Sequence, residues 1–400
     1  MRRARRLGYY RAHERRKHAM TVDIPTAPLA LARARRLVVK VGSAILCGAD
    51  GVRGGWLSAL ADDIAMLRGD GREVVVVTSG AIALGRKRLR LDGPLRLDEK
   101  QAASAAGQAA LVEAWQSAFA RHKIAVAQIL LTLDDTENRR RYLNARATFS
   151  TLLDLGALPL VNENDTIATA EIRYGDNDRL AAHAAQIAGA ELLVILSDVD
   201  GVYDADPRRA PGATRLPLIE RISPEIVAAA GGANAAAGVG SGGMASKIAA
   251  AEIAAASGAA TIIAPGTEDH PLRRVLEGGP STLILAATTA DKARRQWIGG
   301  RLKPQGEVRI DAGAAKALLG GASLLPAGVI AVAGDFQRGD AVLVVAPDGA
   351  AIAQGLSAYG AFDLRRVAGK RSDEIERLLG YRRRPAVIEK DDLALRKPAP

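Results

Sequence analysis

A single cysteine, Cys47, stands among 400 residues, so an intramolecular disulfide is excluded and the chain fits a reducing, cytoplasmic compartment. The five histidines (His13, His18, His122, His183 and His270) are scattered and lack the paired spacing of a metal site. No apolar run reaches the roughly 18 residues that a membrane span needs, so no membrane segment is expected. Aromatic residues amount to only 4 % while Ala, Gly and Arg abound, a bias that reflects genome composition as much as physics.

What is present is a large apolar fraction, 48 %, which supports a sizeable core and argues against long disorder. The length suggests two or three domains. The net charge of +11 is concentrated at one end: residues 1–19 carry eight basic side chains, from Arg2 to Lys17, against Glu14. Such an arm reads as a nucleic-acid or membrane-surface tail, as a targeting peptide, or as an over-extended start ahead of Met20. It has no apolar segment of the secretory kind, and the start-site reading is the one adopted, because patterned sequence begins only near Leu37.

From there, short apolar runs alternate with helical stretches. LVVKVGS (37–43), EVVVVTSGAIALG (73–85), IAVAQILLT (124–132), ALPLVNEND (157–165), ELLVILSDVDGVY (191–203) and AATIIAPG (259–266) read as strands, and 101–121, 139–155, 178–189 and 244–257 as helices. Continuous Val/Ile/Leu runs mean strands buried on both faces. Their alternation with helices predicts an α/β fold, a three-layer sandwich with a mainly parallel sheet, and ligands belong beyond the carboxyl ends of its strands. After about residue 285 the pattern changes to short strands and turns, a small β-rich domain. The expected boundaries are a basic extension over 1–34, a catalytic domain over 35–288, a linker over 289–306, the β-rich domain over 307–390 and a loose tail over 391–400.

The polar clusters sit at the expected strand ends. Lys40, inside a buried run and followed by Gly42-Ser43, is either a cation facing a bound phosphate or a lysine reaching past the strand end to solvent. VTSGA (77–81) permits close backbone approach by a ligand, but on this stretch alone it reads as an ordinary turn. The 162–178 segment, NENDTIATAEIRYGDND, holds eight Asn, Asp and Glu residues in seventeen, more than a helix cap at Asn177 or Asp178 requires. It suits an ammonium-bearing substrate or Mg²⁺. SDVDGVYDADP (197–207) could serve a metal, a nucleotide or a turn, and its spacing excludes an EF-hand. GSGGMASK (240–247) is glycine-rich and ends in a lysine but does not fit the Walker loop; it is a phosphate cradle or a flexible entry to a helix.

Together, and in this order, these motifs resemble the amino-acid kinase family, and within it the branch whose members phosphorylate the γ-carboxylate of glutamate. The ending resembles that branch's C-terminal PUA domain: GEVRIDAGAAKALL, GASLLPAGV, GDFQRGD and GLSAYGAFDLRRVAGKRSDEIERLLGY. The resemblance spans roughly residues 37–390 and implies the following roles. Lys40 and Lys247 act on the ATP phosphates, and Asp178 organises the two lysines. Ser79, Asp165 and Asn177 bind glutamate. Ser197 and Asp198 hold the nucleotide, together with a second segment of Ser241, Gly242, Gly243, Met244, Ala245, Ser246 and Lys247. Small departures, such as Ser197 where Thr is common and Ala245-Ser246 for Ser-Thr, remove no charge. The resemblance also implies Mg²⁺ bound with ATP rather than in a protein metal site, inhibition by proline near the 162–178 loop, and a dimer or tetramer. It further implies hand-over of a labile acyl phosphate to a reductase, glutamate-5-semialdehyde dehydrogenase. Two alternatives stand beside it: another carboxylate or carbamate kinase of the same fold, and RNA binding through the PUA domain and its Arg365, Arg366, Lys370 and Arg371.

Overall fold

The computed structural model describes residues 25–132, 134–168, 177–231, 243–380 and 386–396. Eight strands form the large sheet: β1 (Arg36–Val41), β2 (Glu73–Thr78), β3 (Val126–Leu131), β4 (Leu158–Glu163), β5 (Leu192–Ser197), β6 (Leu218–Ile219), β7 (Ala260–Pro265) and β8 (Thr282–Ile284). Their order is β6-β8-β7-β5-β1-β2-β4-β3. From β7 to β3 all pairings are parallel; β8 is antiparallel to β7. The runs RLVVKV, EVVVVT, LPLVNE and LLVILS occupy the centre, where helices cover both faces and every alternate side chain needs an apolar partner. The edge strand β3 alone is largely part-exposed.

Alternation along β1 divides the core in two. Leu37, Val39 and Val41 face helices α1 (Ala27–Arg33), α2 (Gly54–Gly69), α4 (Leu97–Ala120) and α8 (Pro271–Leu276). Val38 faces the other layer, made by α5 (Arg139–Asp154), α6 (Asn177–Ala188) and α7 (Met244–Ala256). The period of two therefore turns Lys40 toward α6 and α7, the two helices whose first turns carry Asp178 and Lys247. One further helix, α3 (Ala81–Arg88), follows β2 and lies against α4.

The second domain is a five-stranded sheet, β9 (Gly306–Ile310), β10 (Val329–Gly334), β11 (Ala341–Val345), β12 (Ala351–Leu356) and β13 (Leu393–Leu395), in the order β10-β9-β11-β12-β13. Val308, Ile310, Phe336, Val344 and Tyr359 fill its core.

Three edges differ from the sequence expectation. Part of the presumed 1–34 extension is structured: Thr26 caps α1, and Leu31 is buried in the kinase-domain core. The presumed linker is helical. It forms α9 (Ala290–Gln296) and a π-helical turn, Trp297–Arg301, whose Ile298 is buried beside Leu356 and Ala394 of the second domain. The presumed loose tail supplies β13, because its backbone completes the edge of β12. The arm over residues 1–19 lies outside the described residues.

Candidate active site

The parallel strands end together, and the loops beyond them enclose a cleft of about 870 Å³. Its centre is one carboxylate between two ammoniums. Asp178 Oδ2 accepts from Lys247 Nζ at 3.0 Å, and Asp178 Oδ1 pairs with Lys40 Nζ. All three side chains are buried, with residue exposures of 5 % for Lys40, 0 % for Asp178 and 4 % for Lys247. The alternative of Lys40 as a lysine reaching to solvent does not hold: its ammonium ends inside the molecule, beside Asp178. Asp178, whose own stretch also allowed a helix cap, directs its carboxylate to the two lysines, the arrangement the resemblance implied. Two buried ammoniums share one carboxylate here, and a phosphate anion reaching the cleft would give both further charge-assisted contacts. The start of α7, with its partial positive charge, carries Lys247 in its first turn and adds to that preference.

Beside this triad lies a hydrogen-bonded wall of amides, hydroxyls and the Asp165 carboxylate. Asn177 Nδ2 donates to Ser79 Oγ (2.7 Å), Thr78 O (2.8 Å) and Asn162 Oδ1 (3.0 Å), sharing two hydrogens among three acceptors. Asn162 Nδ2 donates in turn to Gln108 Oε1 at 3.0 Å. Asp165 Oδ2 accepts from Ser104 Oγ at 2.7 Å. Gly80 makes the turn from β2 to α3 possible. Its φ of 114° lies in the left-handed region, and an added Cβ would stand 3.0 Å from Cys47 Sγ. Burial pushes the Cys47 thiol up from its ordinary range, so it stays protonated and is no nucleophile. On the opposite side of the triad, Ser197 Oγ donates to Asp198 Oδ1 at 3.0 Å at the end of β5.

Of the residues singled out from the sequence, Lys40, Ser79, Asp165, Asn177, Ser197, Asp198 and Lys247 line this one cleft. Gly243 instead caps α7, and Met244, Ala245 and Ser246 open that helix, with Met244 packed on the core rather than lining the cleft. Ser241 and Gly242, like Glu171 and Asp176 of the polar loop, lie outside the described residues. The sequence reading missed Lys100, Ser104 and Gln108 on α4. Their spacing of four in an alanine-rich helix is the signal that places them on one face.

The oxygen-rich donors, Asp198 and Glu163 among them, are of the type that Mg²⁺ takes when phosphates complete its shell. Among the described residues, no three His, Cys, Asp or Glu side chains gather into a metal site of their own. No helix among the described residues is long and apolar enough to cross a membrane.

A parallel sheet with helices on both faces and a cleft at its strand ends that brings buried lysines together with carboxylates defines a class. Residues 35–264 match the model of the amino acid kinase family, and residues 306–379 that of the PUA domain. The glutamate 5-kinase of Caulobacter vibrioides (strain NA1000 / CB15N) is 57 % identical over 365 residues, 90 % of this chain and 97 % of the relative. That of Paramagnetospirillum magneticum is 53 % identical over 367 residues, 91 % and 99 %. That of Rhodospirillum rubrum is 55 % identical over 361 residues, 90 % and 96 %. The chain belongs to the amino acid kinase family and, within it, to the glutamate 5-kinases.

Proposed function

We propose that this enzyme transfers the γ-phosphoryl group of ATP to the γ-carboxylate of L-glutamate, giving L-glutamyl 5-phosphate and ADP, the first step of proline synthesis. The observation that carries the reading is the Lys40–Asp178–Lys247 triad, an anion-seeking group standing between the acceptor wall and the Ser197-Asp198 strand end. The nucleophile is a carboxylate oxygen, ionised near neutral pH, so no general base is needed. It attacks Pγ while the bond from Pγ to the bridging oxygen breaks and its electron pair leaves on ADP. The protein then has two tasks, alignment and stabilisation of charge on the transferring group. Lys40 and Lys247 meet that charge, and Asp178 keeps both ammoniums aimed. Ser79, Asp165 and Asn177 hold glutamate, with Asp165 taking its ammonium. Ser197, Asp198 and the 241–247 segment hold the nucleotide. Mg²⁺, bound with ATP, neutralises phosphate charge.

Proline is expected to compete at the acceptor end, beside the 162–178 loop, and the acyl phosphate to pass to a reductase. Trapping with hydroxylamine tests the reading. Enzyme, ATP, Mg²⁺ and L-glutamate should yield γ-glutamyl hydroxamate, and proline should suppress it. Turnover of other carboxylates or carbamate without glutamyl hydroxamate would favour another kinase of the same fold.

A further inference from the structure

Helix α4 carries three polar side chains, Lys100, Ser104 and Gln108, four residues apart and therefore on one face. Ser104 is buried and donates to Asp165, and Gln108 accepts from Asn162, so this face backs the acceptor end of the cleft. Gln101 Nε2, on the same helix, donates to Ala168 O at 2.9 Å and ties down the chain just after Asp165. Lys100 lies one turn before Ser104, about 6 Å along the helix axis, and lines the same cleft.

Four cationic side chains line the cleft: Lys40, Arg86, Lys100 and Lys247. Lys40 and Lys247 are paired with Asp178. Arg86 is engaged with the loop after α3, donating from Nε to Leu91 O (2.9 Å) and from Nη2 to Gly93 O (2.8 Å). Lys100 is half-buried, and its ammonium makes no hydrogen bond or ion pair among the described residues. A glutamate whose ammonium sits on Asp165 and whose γ-carboxylate points to the lysine triad still has an α-carboxylate to satisfy. One helical turn from the Ser104–Asp165 contact is the spacing at which a cation meets it.

We infer that Lys100 binds the α-carboxylate of the acceptor, and that Ser104, by fixing the Asp165 carboxylate, positions the group that binds its ammonium. The stripe on α4 then makes the enzyme selective for an α-amino acid over a simple carboxylate. This rests on glutamate being the acceptor.

The test uses two fragments of glutamate, each read as a competitive inhibitor of glutamyl hydroxamate formation by the full-length enzyme. 4-Aminobutyrate keeps the ammonium and lacks the α-carboxylate; glutarate keeps both carboxylates and lacks the ammonium. Lys100→Met is expected to raise KM for glutamate and Ki for glutarate roughly 10- to 100-fold, with kcat and Ki for 4-aminobutyrate within about threefold of wild type. Ser104→Ala is expected to do the reverse, raising Ki for 4-aminobutyrate and sparing glutarate, and Lys100→Arg is expected to recover part of the loss. Equal losses for both fragments in Lys100→Met, or no change for glutarate, would overturn the assignment. Absence of glutamyl hydroxamate from wild type would instead sink the reading of glutamate as acceptor.

Discussion

Asp178 faces two lysines at once, so the three residues should respond differently to substitution. Replacing Lys40 or Lys247 by Met removes one of the two ammoniums from Asp178 and keeps the other paired with it. Each variant should fold, with kcat lowered about 10²- to 10³-fold by loss of a charge aimed at the phosphoryl group. Asp178→Asn removes the carboxylate that the two buried ammoniums share. It should cost roughly 3–5 kcal/mol of stability as well as turnover, because like charges then share a dry site. Steady-state kinetics and thermal unfolding of the three variants separate the two effects; wild-type turnover in Lys247→Met would refute the role given to that lysine.

Two elements carry their own consequences. Helices α3 and α4 cross with backbone against backbone. A Cβ on Gly107 would lie 1.9 Å from Ala81 O, and one on Gly85 would lie 1.6 Å from Ala103 O. Gly107→Ala must push α3 away from α4, at a cost of about 1–3 kcal/mol or more. Because α3 begins at the cleft and α4 bears the acceptor stripe, KM for glutamate should rise with the loss in melting temperature; a change in stability alone would show that the crossing is only structural. On α6, burial, with the nearby Arg179, holds the His183 imidazole below its ordinary value of 6.5. The unfolded chain then takes up the proton first. The stabilisation is full above about pH 6.5 and is lost as pH falls from there through the folded pKa. His183→Gln should flatten the decline in melting temperature between about pH 7 and pH 5, and an unchanged slope would assign that decline to other groups.

At the scale of the whole molecule, the two domains are joined by more than a covalent tether. Arg294 on α9 donates to Tyr142 Oη of α5 at 2.7 Å and to Asp391 O at 2.7 Å, and pairs with the Asp392 carboxylate. Gln354 Nε2 of β12 reaches both Ile298 O and Leu302 O at 2.7 Å. Arg294→Ala leaves Asp392 partly buried without its main partner and should cost about 3–5 kcal/mol at the junction. Calorimetry is expected to show the second domain unfolding ahead of the first. A single unshifted transition would mean that the apolar contacts of Ile298, Leu356 and Ala394 hold the junction alone.

Much of this could be read from the chain. Short Val/Ile/Leu-rich runs such as LVVK and LLVIL, bounded by turn residues, read as strands covered on both sides, and their alternation with helices leads to the parallel sheet and to sites at its ends. Lys40 and the polar 162–178 loop stood out because an apolar run with a lysine, and a loop with so many polar groups, are hard to explain by burial alone. Other features were decided only in three dimensions. Periodicity records whether a residue is buried, not what it is buried against. Leu31 in a seven-residue helix and Leu393–Leu395 in a three-residue strand are too short to leave a periodic signal, and their order comes from distant partners. From its own stretch Asp178 could be a helix cap; the family resemblance set it between the two lysines, and the structure places it on lysines from β1 and α7. Apart from their spacing, nothing in the alanine-rich run around Lys100, Ser104 and Gln108 marks them out, and only the contacts of α4 with Asn162 and Asp165 turn that stripe toward the cleft. The sequence by itself determined the layers and the place of the site; the tertiary structure decided which charges meet there, because pairing across sixty or more residues of chain leaves no local pattern to read.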